Sequence, residues 1–340
     1  MTTGQRYQEG RARAGVARRR LLSAAGLVPM LAGLGAAAAC SPQTTAEDVH
    51  KAEPHRPVPT GEGDWKEVVH ALGRTGTLIR GTYHHTPFPR RDLTVVSRGV
   101  TVSPGLALGS HVSFARYSDG STLMMGDLVV TESELQGMTD ALQAQGIAQT
   151  AIHKHLPTQS PDLWWTHVCA HGHDAASLAQ GLRTALDRTG TPPPVAPAAI
   201  KSLDLDTAGI DAALGAGGVN NGEVYTSVFV RRETVVDDGH ALPAGLGATS
   251  AFNFQPLGGG RAALSGDLVM VAGEVQQALT ALRRGGIELV ELHNHGLTDE
   301  PRLFFTHVWA VGDAVALAKA VRPALAATNV VSSPLIGGTG

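Results

Sequence analysis

HVSFARY (111–117), TLMMGDLVV (122–130) and TSVFV (226–230) have the β-branched or alternating apolar character of strands. Elsewhere the spacing is helical. Glu134–Gln145 and Glu274–Arg284 place Leu, Met and Ala on one helix face, and Gly146 or Gly285-Gly286 ends each run. Two strand-like runs follow, IAQTAIHKH and DLWWTHVCA in the earlier case, joined by a short proline-containing loop. A final amphipathic helix is expected from Asp174 and again from Asp313, whose carboxylates suit N-caps. Short helices are expected at Trp65–Leu72 and near Ile210–Leu214, and Gly258-Gly259-Gly260 reads as a hairpin turn. Strand runs mixed with segregated helices predict an α+β fold with mainly antiparallel sheets flanked by helices.

The pattern occurs twice. Residues 126–170 lie over residues 266–310 without a gap at an offset of 140, and 19 of the 45 positions are identical. Upstream, Arg90-Arg91-Asp92 lies over Arg231-Arg232-Glu233; downstream, Asp174, Leu178 and Arg183 lie over Asp313, Leu317 and Arg322. A period this long means tandem domains rather than a solenoid. The chain divides into 64–190 and 205–329, with the proline-rich 191–204 as linker and 330–340 as a tail. Two copies of about 125 residues, each large enough for its own core, are expected to pack together about a pseudo-two-fold.

Residues 1–39 read as an export signal. An arginine-rich stretch without acids, RARAGVARRR (11–20), precedes the apolar Leu21–Ala39, and Arg18-Arg19-Arg20-Leu21-Leu22 fits the twin-arginine form. Ala37-Ala38-Ala39-Cys40 is similar to a lipobox, in which Cys40 would be acylated; Ala37 stands where leucine is usual. The expected location is the cell envelope, lipid-anchored to the outer face of the membrane or else secreted. The polar, proline-rich 40–63 then reads as a flexible tether. With 43% hydrophobic and 17% charged residues the rest can bury a large core, and a net charge of −3 argues against a nucleic-acid partner.

Among 15 histidines, six recur in register: His153, His155 and His167, then His293, His295 and His307. Residues two apart on a strand share a face. If paired residue numbers sum to 320, His167 returns opposite His153. Three imidazoles converging in this way suit a divalent transition metal, zinc above all, with metal–nitrogen bonds of about 2.0–2.1 Å. The expectation is one such triad in each repeat. Glu291, two residues before His293, replaces Ala151 and is a candidate fourth ligand or general base. The alternative is that the histidines are hydrogen-bonded members of the sheets and the protein is a non-catalytic module for an envelope ligand.

Other residues carry weaker signals. Asp127 and Asp267, in the repeated GDLV, suit a bulge as well as a site. Arg91–Asp92 and Arg232–Glu233 are expected to be surface or ladder ion pairs. His171 and His173 are expected at a helix N-terminus, and Cys169, replaced by Trp309, reads as a buried apolar residue. The sequence has no G-x-S-x-G, H-E-x-x-H, Walker or G-x-G-x-x-G motif in context, so no nucleotide cofactor is expected.

Gly266–Val269, His293–His295, Pro301–Trp309 and Asp313–Lys319, together with Phe88–Leu93 and Pro104–Ser110, resemble the LppY/LpqO family of bacterial secreted proteins. The resemblance covers both repeats. It implies a duplicated domain of unknown function and lipoprotein or twin-arginine signals, and it implies no reaction.

Overall fold

The computed structural model describes residues 53–196 and 199–333. The expected export signal and the candidate lipidation site Cys40 lie outside the described residues. Among those described, no helix is long and apolar enough to cross a membrane.

Repeat one comprises α1 (Lys66–Leu72), β1 (Thr77–Ile79), β2 (Tyr83–Pro89), β3 (Gly109–Arg116), β4 (Thr122–Thr131), α2 (Glu132–Ala144), β5 (Ala148–His153), β6 (Leu163–Gly172) and α3 (Ala175–Leu186). Its sheet runs β1-β2-β3-β4-β6-β5, antiparallel throughout. Repeat two has α4 (Thr207–Leu214), β7 (Val219–Asn220), β8 (Tyr225–Arg231), β9 (Thr249–Gly258), β10 (Arg261–Val271), α5 (Val275–Arg284), β11 (Glu288–His293), β12 (Leu303–Asp313) and α6 (Ala314–Ala326). Its sheet runs β7-β8-β9-β10-β12-β11, the same order. The α+β expectation and the duplication both hold.

Strand alternation separates two faces. On β6, Trp164, Val168 and Ala170 join the apolar cluster under the helices, with Met124, Leu128, Leu135, Met138 and Leu182. On repeat two, Phe252, Leu264, Leu268 and Val308 do the same with Leu282, Val321 and Leu325. The opposite faces meet: Val129, Leu163 and Trp165 of repeat one share a cluster with Val224, Ala263 and Trp309 of repeat two. The order of layers is therefore helices, sheet, sheet, helices. Burying one apolar face against helices and the other against a second sheet leaves both sheets covered.

Helix ends follow their local chemistry. Asp174 accepts from the Ala176 and Ser177 amides and Asp313 from the Ala316 amide, the N-caps read from the sequence. A cis Ser160–Pro161 bond and a cis Glu300–Pro301 bond occupy matching places before β6 and β12.

Some expectations differ from the structure. Val330–Ser332 is not a free tail but a strand, β13, on β8. The tether is described from residue 53, and there it lies against both repeats. The His55 amide donates to Gly239, Val58 to Arg116 and Thr60 to Gly81, because an extended proline-rich segment leaves its amides for other edges. The ion pairs sit one residue earlier than expected. Arg90, 1% exposed, donates to Asp92 and Glu134, and the buried Arg231 donates to Glu233 and Glu274. Each guanidinium also reaches a strand carbonyl, Val129 or Val269. Each arginine thus ties β2 or β8 to the first turn of the following helix, so these pairs lock the architecture rather than decorate it. Arg91 instead pairs across the repeats with Glu223.

Candidate metal centre

β6 and β12 each bring one of the six recurring histidines to the face between the sheets. His167 lies across from Asp127 on β4, and His307 across from Asp267 on β10. Both aspartates follow glycine for a steric reason. A Cβ on Gly126 would lie 2.3 Å from the His111 carbonyl oxygen, and one on Gly266 would lie 2.6 Å from the Phe252 ring. Only glycine lets the neighbouring strand approach this closely while the next residue points inward.

The edge strands β5 and β11 supply the rest, with a register that differs from the expected one. His167 pairs with Ala151, not His153, and His307 pairs with Glu291; just before these pairs Thr150 and Val290 are bulged out of the ladders. His153 and His293 end their strands opposite Trp165 and Phe305. His155 and His295 lie beyond the strands, each stacked on that aromatic ring, at 4.7 and 3.4 Å between centroids.

The six histidines do not form two triads. They form one cluster between the repeats. His153 stacks on His293 (4.0 Å between centroids), His155 on His307 (3.8 Å), and His167 against His295 (3.9 Å). The last two contacts are the same contact seen from either repeat, so a pseudo-two-fold passes between His153 and His293. Metal-capable groups, with ligand atoms within 4.8 Å of one another, are His153–His167–His293, drawn from both repeats, and His153–His155–His307. The His167 and His293 Nε2 atoms are 3.4 Å apart, and those of His153 and His155 are 3.0 Å apart. Two nitrogens bonded to one ion at about 2.0–2.1 Å in tetrahedral geometry lie at about this separation.

The two aspartates were not singled out as ligands by sequence, although their repetition was visible. Asp127 Oδ2 is 3.0 Å from His155 Nε2 and 4.0 Å from His153 Nε2, and Asp267 Oδ1 is 4.0 Å from His307 Nδ1. His111, which has no histidine counterpart in repeat two, lines the adjoining cavity of about 290 Å³. This cavity also reaches His155, His167, His295, His307, Asp127 and Asp267.

Burial dominates the electrostatics. It pushes His167 down to about 3 and His293 down to about 4; neighbouring His293 adds to the effect on His167, while Asp127 opposes both shifts. His153, His155, His295 and His307 are held well below the usual histidine range, first by burial and then by the imidazoles around them. Burial, reinforced by Asp127, pushes Asp267 well above the usual carboxylate range. Neutral imidazole is the form that binds metal. Several buried atoms of these residues have no hydrogen-bond partner: His153 Nδ1, His293 Nδ1, His295 Nε2, His307 Nε2, Asp127 Oδ1 and Asp267 Oδ1. Each such buried group costs about 1–3 kcal/mol if nothing satisfies it. A cation coordinated by nitrogens and carboxylate oxygens would satisfy several together.

Glu291 is placed elsewhere. Its carboxylate accepts from the Lys154 backbone amide of repeat one, between His153 and His155, and it is absent from the metal-capable groups among the described residues. Asn294 answers from the other side by donating to the Thr150 carbonyl. Both contacts hold one repeat's histidine strap on the other. His171 belongs to β6 rather than to a helix cap. Burial pushes the Cys169 thiol up to about 12, which makes it a poor nucleophile.

A family model described as Domain of Unknown Function (DUF1259) matches residues 66–188 and 208–327. No curated protein matches the sequence. Among solved structures, a trimeric microcompartment shell protein PduB is similar at 13% identity and a TM-score of 0.19, over 74% of this chain and 92% of that one. EtuB from Clostridium kluyveri is similar at 11% identity and a TM-score of 0.17, over 74% and 91%. At such scores neither likeness bears on fold or function.

Proposed function

This chain belongs to the family described as Domain of Unknown Function (DUF1259), a membership that brings no reaction with it, and we propose that it holds one transition-metal ion between its two repeats. The observation that carries this reading is the convergence of six histidines from both repeats, three of them buried and three partly buried, several with a ring nitrogen that has no hydrogen-bond partner. His153 belongs to both possible ligand sets and is the hub. His167 and His293, or His155 and His307, complete the set, and Asp127 and Asp267 balance charge. An all-imidazole donor set with nearby carboxylate suits zinc best, with copper, iron or nickel as competitors.

The cavity beside the histidines favours a working site over a sealed staple, since a small molecule has room to reach the ion. A bound zinc ion there would supply Lewis acidity or an activated water, the chemistry of a metal-dependent hydrolase. The resemblance to LppY/LpqO proteins and the export signal of residues 1–39 support a place in the cell envelope, with lipid on Cys40 as anchor.

Calorimetric titration of EDTA-treated protein with zinc tests the reading. Tight uptake is expected, with one equivalent lost in His153→Ala. Absence of uptake at pH 7.5 would overturn it in favour of histidines that only order the sheets around an envelope ligand.

A further inference from the structure

On the same inner face of β6, beyond His167, come Cys169 and His171, the latter about 13 Å further along the strand. Across from them, on repeat two, is Asp237, 4% exposed. We propose that Cys169, His171 and Asp237 form a second transition-metal site, separate from the six-histidine centre, which takes a zinc-like ion through thiolate, imidazole and carboxylate.

The ligand atoms of these three residues lie within 4.8 Å of one another. Asp237 is oriented by Thr298, whose hydroxyl donates to Oδ1 at 2.6 Å, and this leaves Oδ2 facing the Cys169 sulfur at 4.0 Å. A metal held by sulfur at about 2.3 Å and oxygen at about 2.0 Å would draw that pair slightly closer. Both ring nitrogens of His171 are sealed from solvent and have no hydrogen-bond partner; the Tyr117 hydroxyl is likewise unpartnered. His240, 4.8 Å from His171 between ring centroids, does not relieve it. Its Nδ1 faces the Asp238 carbonyl at 2.8 Å and its Nε2 faces Asp119 and Ser121 at 3.1 Å. An imidazole with two buried, unpartnered nitrogens beside a thiol and a carboxylate is a donor set that suits a zinc-like ion.

Pseudo-symmetry strengthens the case. The matching positions, 140 residues apart, are Trp309 for Cys169, Val311 for His171, Ser97 for Asp237 and Val100 for His240. There Trp309 and Val100 belong to an apolar cluster. Val311 is exposed and Ser97 is the one polar side chain among these four, so the thiol–imidazole–carboxylate set has no counterpart there. The polar set is specific to the Cys169 side. Binding is acid–base and not redox: the sulfur–metal bond forms, the thiol proton leaves to solvent, and no electrons are exchanged.

The test uses Co²⁺ with the full chain carrying Cys40→Ser, so that Cys169 is the only thiol. A sulfur-to-cobalt charge-transfer band in the near ultraviolet is expected. It should vanish in Cys169→Ser, weaken in affinity by about tenfold or more in His171→Ala, and persist in His153→Ala, which disturbs only the histidine centre. No band in the parent protein, or a band that survives Cys169→Ser, overturns the proposal whatever becomes of the histidine centre.

Discussion

His153 and His293 lie ring over ring, with centroids 4.0 Å apart and planes 12° apart, although 140 positions separate them in the chain. Each ends the edge strand of its own sheet. Their contact exists only because the sheets pack face to face with those edges together. Equivalent residues that touch across a pseudo-two-fold generate one shared centre, whereas two domains with private sites would keep them apart.

The histidines make the metal-free protein acid-sensitive in a defined window. An unfolded histidine titrates near 6.5, while folded His167 and His293 lie at about 3 and about 4. Below about pH 6.5 the unfolded chain binds protons that the folded chain refuses, so stability rises with pH and falls on acidification. Thermal melts of metal-free protein should show Tm dropping steeply from pH 7 to pH 5, and less steeply in His153→Ala/His293→Ala. Equal slopes would mean that these histidines are not buried neutral.

Arg90→Met and Arg231→Met should each cost about 3–5 kcal/mol in urea unfolding, because each leaves carboxylates without their buried guanidinium. Their window of pH dependence is lower. Glu233, held at about 2 chiefly by hydrogen bonding to Arg231, keeps its contribution above its ordinary 4.5 and loses it as pH falls toward 2. A loss under about 1 kcal/mol in either variant would show the pair to be surface-like.

Glu291→Gln keeps an acceptor for the Lys154 amide and should leave zinc affinity within about threefold, whereas Glu291→Ala should weaken it by loosening the His153–His155 strap. Competition with a chromophoric chelator measures both. A large loss in Glu291→Gln would return Glu291 to the coordination sphere.

Much of this was legible in the sequence. Period-two and helical spacing, the N-caps Asp174 and Asp313, and the 140-residue repeat located the elements. The face of the histidines was also legible, since His167 and His153 point inward by alternation. Their register was not: His167 pairs two residues away from His153, and no local residue type announces that offset or the one-residue bulges at Thr150 and Val290. The merging of the triads was hidden for a different reason. Repetition tells which residues correspond, but the packing of sheet on sheet decides whether corresponding residues meet. Asp127 was visible as a repeat that suited a bulge as well as a site, and only its cross-strand partner His167 decides between them.

The shared centre is tested most directly by elemental analysis of tag-free protein carrying Cys169→Ser, alone and combined with His153→Ala, His293→Ala or both. A shared centre loses its single equivalent of metal in His153→Ala, and the double variant loses no more. Two ions in the parent protein, falling to one in either single variant and to none in the double, would contradict it and restore one site per repeat.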